Sequence, residues 1–146
     1  MRISDVLQTK GSNVATIPPT ASVRGVIAAL AEHHVGALVV SSDGFTIAGI
    51  VSERDVVRAL HARGAAVLDA PVNSLMTAEV HTCQLGDTID QLTVLMTVQR
   101  VRHVPVIDGP DRRLVGIVSI GDVVKSRIGE LEDERAALVD YLTHGR

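Results

Sequence analysis

The chain carries the same segment twice, and no other feature restricts its fold so strongly. Ile47-Ala48-Gly49-Ile50-Val51-Ser52-Glu53-Arg54-Asp55-Val56-Val57 returns as Leu114-Val115-Gly116-Ile117-Val118-Ser119-Ile120-Gly121-Asp122-Val123-Val124. The Gly, Ser and Asp of the two copies stand at a constant offset of 67 residues. Upstream the offset is 66, pairing Val14 with Val80, Thr16 with Thr82, Val23 with Ile89 and Val35 with Val101. One inserted residue in the turn before the second hairpin strand accounts for the change.

Each copy spells the same order of elements. A short extended piece comes first, Val14 to Ile17 and Val80 to Cys83. An amphipathic helix follows: Ser22 caps one, with Val23, Val26, Ile27 and Leu30 on a single face, and Asp87 or Thr88 caps the other, with Ile89, Leu92, Leu95 and Met96. Two β-rich runs come next, Ala37 to Val40 and Thr46 to Val51, then His103 to Ile107 and Leu114 to Val118. Ser42-Asp43-Gly44 and Asp108-Gly109-Pro110-Asp111 turn the chain between them. A second helix opens at each Ser-x-x-Asp, and Gly64 stops the first of these. The unit is therefore β-α-β-β-α, roughly sixty residues long, in an α+β or α/β arrangement. One unit leaves a sheet face poorly covered, so the two are expected to pack about a pseudo-twofold axis. The divisions are 1–66, 67–127 and a helical tail, 128–146.

Gly-Ile-Val-Ser-x-x-Asp opening a helix, with Val104-Pro105-Val106-Ile107-Asp108 before its second occurrence, resembles the signature of a CBS domain. Ser74-Leu75-Met76-Thr77 with Val80-His81-Thr82 resembles the start of such a domain, as do Asp5-Val6-Leu7 with Val14-Ala15-Thr16. The resemblance runs from about Ile3 to about Ser126. It implies a tandem, Bateman-type pair without catalytic activity, which binds AMP, ADP, ATP, a dinucleotide or an S-adenosyl compound between its repeats. AMP is the leading candidate, no resident cofactor is required, and a homodimer acting on a protein target is expected.

The local chemistry suits that reading. A helix N-terminus offers free N–H groups and a positive dipole end to a phosphate. An Asp in the first turn can accept both ribose hydroxyls. The same Ser-x-x-Asp is also a capping box, which needs no ligand. By resemblance, Arg102 and His103 supply phosphate contacts to a main cleft containing Asp122, Ser119 and Gly121, met by Asn13, Val14 and Ala15 from the opposite repeat. A weaker cleft holds Asp55 and Ser52, with Arg54 as its local cation and Val80 and His81 opposite. Glu79 beside a phosphate would repel it. Gly36 and Ala37 stand where the second copy has Arg102 and His103.

Other functions find less support. A net charge of -3, one Phe, one Tyr and no Trp argue against a nucleic-acid face, which needs basic patches or stacking platforms. His33 and His34 are adjacent and cannot both face one metal from a helix, and His61, His81 and His144 show no ligand spacing. No nucleophile elbow or glycine-rich phosphate loop occurs, so no catalytic or metal residues are assigned. No apolar run approaches a membrane span, Met1 leads into Arg2-Ile3-Ser4-Asp5 without an apolar leader, and the lone Cys83 fits a reducing compartment; a cytoplasmic protein is expected. Cys83 itself is expected to be a small buried hydrophobe. In the tail, Ile128, Leu131, Arg135, Leu138, Tyr141 and Leu142 follow helical spacing opposite Glu130, Glu132, Asp133 and Glu134. Gly129 could kink this helix, which either folds back over its own module or serves a dimer or another partner. The alternative to a sensor is a structural dimerisation module without ligand.

Overall fold

The structure, a computed structural model, describes residues 1–144. The chain opens with α1 (Ile3–Lys10), then β1 (Thr16–Ile17), α2 (Val23–His33), β2 (Ala37–Val40), β3 (Gly49–Ser52) and α3 (Glu53–Arg63). Two 3-10 turns, Ala65–Asp69 and Val72–Ser74, lead to β4 (Cys83–Gln84), α4 (Ile89–Gln99), β5 (His103–Asp108), β6 (Arg113–Ser119) and α5 (Ile120–His144). Residues 128–144 of the tail are part of α5, and the last two, 145 and 146, lie outside the described ones.

Each repeat forms the β-α-β-β-α unit and its own three-stranded sheet, β1-β2-β3 or β4-β5-β6. The first strand of each is parallel to the middle one, which requires a crossover, and α2 and α4 supply it. The third strand is antiparallel to the middle one. Ser22 caps α2 by accepting from the Gly25 N–H at 3.1 Å. Of the two candidates before α4, Thr88 is the cap, in a reciprocal box with Gln91, while the Asp87 carboxylate accepts from the Gln84 N–H and closes the preceding turn. Strand β3 begins at Gly49 rather than Thr46. The Asp43 carboxylate accepts from the N–H groups of Phe45 and Thr46, at 2.8 and 2.7 Å, and holds them in the loop. Those bonds keep the Asp43 carboxyl well below the usual range. Near the turn of the second copy β6 carries a bulge: Val106 pairs with Gly116, but Ile107 pairs with Leu114.

Two aliphatic cores result, and neither follows the repeat boundary. Val23, Val26, Leu38, Val40 and Val51 of the first repeat enclose Val67 and Val72 from the connector between α3 and β4, which holds the two 3-10 turns. Ile89, Leu92, Val104, Val106 and Val118 of the second enclose Ile3, Val6 and Leu7 of α1. Residues 3–10 carry too few apolar positions to announce a helix; they form one because Ile3, Val6 and Leu7 find a core across the molecule. Backbone bonds fix the exchange. Ile3 and Ser4 donate to Asp87 and Leu85 of the second repeat, and Val23 of the first donates to Ala70 of the connector. The repeated glycines provide the seats. A Cβ on Gly116 would lie 2.7 Å from Leu7 Cδ1, and one on Gly49 would lie 2.6 Å from Met76 Sδ. The lead-in segment of each repeat thus lies against the third strand of the other.

Candidate functional site

Ser52 and Ser119 end β3 and β6 and cap the helices that follow. Ser52 Oγ accepts from the Asp55 N–H at 3.2 Å, and Asp55 Oδ2 accepts from the Ser52 N–H at 2.9 Å. In the second repeat the same two bonds join Ser119 and Asp122, at 3.2 and 2.8 Å. The capping bonds that each carboxylate accepts fall on Oδ2, and Oδ1 accepts none among the described residues. Capping therefore leaves half of each carboxylate for a ligand, and the two roles of the motif coexist.

A cavity of about 380 Å³ opens at the seam of the repeats beside Asp55, within the range of small-molecule sites. Ser52, Arg54 and Asp55 at the start of α3 form one wall, and Thr77, Glu79, Val80 and His81 of the second repeat's lead-in form another. Arg100, Arg102 and His103 complete it. Arg58, one turn along α3 from Arg54, also faces in. Four arginines and two histidines thus line a space whose acidic members are Glu53, Asp55 and Glu79. The positive excess and the open end of α3 together favour an anion.

Arg102 and His103 stand on the seam between the two clefts. The Arg102 carbonyl accepts from the Ile120 N–H at 2.8 Å, and His103 pairs with Ser119, so their backbone does lie beside the Asp122 helix start. Both residues nevertheless line the Asp55 cavity, and the His103 ring lies against Gly36 on that side. Gly36 explains how: lacking a side chain, it leaves the space that His103 enters, and a Cβ there would lie 3.2 Å from His103 Cε1 and 3.4 Å from Glu53 Oε1. The Gly36-for-basic exchange between the copies is thus room for the partner repeat's histidine. Burial lowers the His103 pKa below its ordinary value, with Lys10 adding to the effect and Glu53 and Asp122 opposing it.

Asp122 has a different neighbour. Lys10, the last residue of α1, donates to Asp122 Oδ2 at 2.6 Å and to the Ile117 carbonyl at 2.7 Å. Burial alone would raise the Asp122 carboxyl; the Lys10 bond and the Ser119 N–H outweigh it, and its pKa lies below the ordinary value. Asn13 is exposed, and Ala15 packs on the first core, where its carbonyl accepts from the Val39 N–H. None of Asn13, Val14, Ala15, Ser119, Gly121 and Asp122 lines the cavity. Sequence reasoning missed Lys10, Arg58 and Arg100. Lys10 enters only through the crossing of α1, which no local pattern encodes.

Elsewhere the chemistry is quiet. Cys83 is buried in β4, and burial, aided by the Asp87 charge, pushes its thiol pKa up to about 12. No group of three His, Cys, Asp or Glu side chains among the described residues is arranged to hold a metal. No helix among them is long and apolar enough to cross a membrane.

Comparison with known proteins adds a third line. The CBS domain family matches residues 3–62 and 72–129. The mitochondrial CBS domain-containing protein CBSX3 of Arabidopsis thaliana is 35% identical over 98% of this chain and 72% of its own length. Among solved structures, a CBS-domain containing protein of Agrobacterium tumefaciens is 44% identical, with a TM-score of 0.82 over 87% of this chain and 99% of that one. A CBS domain protein of Pyrobaculum aerophilum, solved in complex with AMP, is 30% identical, with a TM-score of 0.74 over 84% of this chain and 89% of that one.

Proposed function

This chain belongs to the CBS-domain family, and from that premise we propose that it is a regulatory module binding an adenine nucleotide in the cleft beside Asp55. The observation that carries this reading is the cavity, where the start of α3, a free carboxylate oxygen on Asp55 and four arginines converge. The ribose hydroxyls go to Asp55, the phosphates to the N-terminus of α3 with Arg54 and Arg102, and the adenine to the apolar wall at Ile50 and Val80. The AMP complex of the Pyrobaculum aerophilum protein supports the ligand class. In this reading the Asp55 cleft is the main site and the Asp122 cleft the weaker one, because the Asp55 cleft is open and the Asp122 carboxylate already has a cation. The module acts as a homodimer on a protein target, through a ligand affinity that differs between two states.

Calorimetric titration with AMP, ADP, ATP, NADH, S-adenosylmethionine and GMP tests the reading. One adenine compound should bind selectively, and Asp55→Ala should weaken it by about 10- to 100-fold, the range for losing charged hydrogen bonds. Unchanged affinity in Asp55→Ala would overturn the site. Absence of binding by every compound would instead favour a structural dimerisation module, a reading supported by the exposed apolar stripe of α5.

A further inference from the structure

The lead-in segments of the two repeats are structural counterparts, but their charges are opposite. Leu7 fills the seat at Gly116 and Met76 fills the seat at Gly49, which sets the two segments in register. Three residues beyond Leu7 stands Lys10; three beyond Met76 stands Glu79. Each lies at the cleft of the opposite repeat, Lys10 on Asp122 and Glu79 lining the cavity of Asp55. The carbonyls beside them differ accordingly. Ile50 accepts from the Thr77 backbone N–H at 2.9 Å, whereas its counterpart Ile117 accepts from the Lys10 ammonium.

We propose that Lys10 is a built-in counter-ion that closes the Asp122 cleft, so that the chain binds one nucleotide, in the Asp55 cleft alone. The inference rests on the nucleotide reading given above and deepens it. A ribose reaching Asp122 finds only Oδ1 unbonded, on a carboxylate whose charge is already paired by an ammonium held at Oδ2 and at the Ile117 carbonyl, so its hydroxyls gain less there than at an unpaired carboxylate. At Asp55 no cation is paired with the carboxylate among the described residues. Glu79 cannot neutralise that carboxylate, and four arginines line the same cavity. Duplication supplied two sites, and a single charge difference assigns one to the ligand.

The experiment is calorimetric stoichiometry on the full chain, with AMP and ATP as titrants. Wild type should bind one nucleotide per chain. Lys10→Met should bind two, the Asp55-site affinity being unchanged within about twofold; Lys10→Gln, a milder change, should do the same if the methionine variant folds poorly. Glu79→Lys, which places an ammonium beside Asp55, should lose binding while melting as wild type does. Two sites in wild type, or one in both Lys10 variants, would overturn the inference and leave the nucleotide reading intact. Weaker binding at unchanged stoichiometry in the Lys10 variants would overturn it differently, making Lys10 a phosphate contact. No binding by wild type would overturn both.

Discussion

His103 is where the charges of the two clefts meet. It leaves β5 beside Ser119, enters the space at Gly36, and feels Lys10, Glu53, Asp122 and Arg102 together. Its pKa is lowered chiefly by burial. The folded chain then binds fewer protons here than the unfolded chain, whose histidine titrates near 6.5. Stability from this group is therefore complete above that value and declines as the pH falls below it. The ring proton of His103 should titrate below 6.5 by NMR, and His103→Gln should flatten the fall in melting temperature between about pH 7 and 5. Bound phosphate in the cavity should move the His103 midpoint upward. A midpoint above 6.5 in the free protein would contradict the burial. The sequence displays the Arg102-His103 pair plainly, but not which cleft it serves. A strand that starts on the seam can send side chains to either side, and the open space at Gly36 admits the His103 ring on one of them.

The helices were largely legible because their signals are local. Apolar spacing located α2 and α4, and Ser-x-x-Asp located the starts of α3 and α5. The exchanged segments were not legible, since α1 and the connector owe their places to distant cores. Helix ends show a further regularity hidden in the sequence. Both α2 and α4 stop at a left-handed residue that is not glycine, His34 with φ 54° and Arg100 with φ 55°. Such a residue costs about 1–2 kcal/mol against glycine in the folded state, partly offset by glycine's larger unfolded entropy. Arg100 lines the cavity, which gives its retention a use; His34 is exposed and lines none. His34→Gly should therefore stabilise the chain by about 0.5–1 kcal/mol, read as a melting temperature a few degrees higher. A lower melting temperature would mean that the imidazole of His34 contributes a contact of its own.

At the scale of the whole molecule, α5 exceeds what the second repeat needs. Its 25 residues span about 37 Å, yet only Val123 is buried. Arg127, paired with Asp90 of α4, and Glu130, near the Met1 amino group, tether its first half. Every residue from Leu131 to His144 is exposed, so the tail does not fold back over its own module. Val124, Ile128, Leu131, Leu138 and Leu142 form a stripe at alternating spacings of four and three, interrupted only by Arg135. Such spacing suits the seam of a two-helix coil, in which a single polar position fixes register. Leu131 and Leu142, at 62 and 70% exposure, are an unusual surface for an isolated chain. A second copy of α5 offers the same stripe, with Glu132 and Glu134 available to Arg135 across the interface. Sedimentation should therefore give a dimer, and Leu131→Glu with Leu138→Glu should give a monomer. Since the Asp55 cleft is formed within one chain, that monomer should bind nucleotide with nearly unchanged affinity. A wild-type monomer would reserve the stripe for a different protein. A double variant that loses both assembly and binding would show instead that α5 pairing shapes the cleft, and would make the dimer part of the sensor.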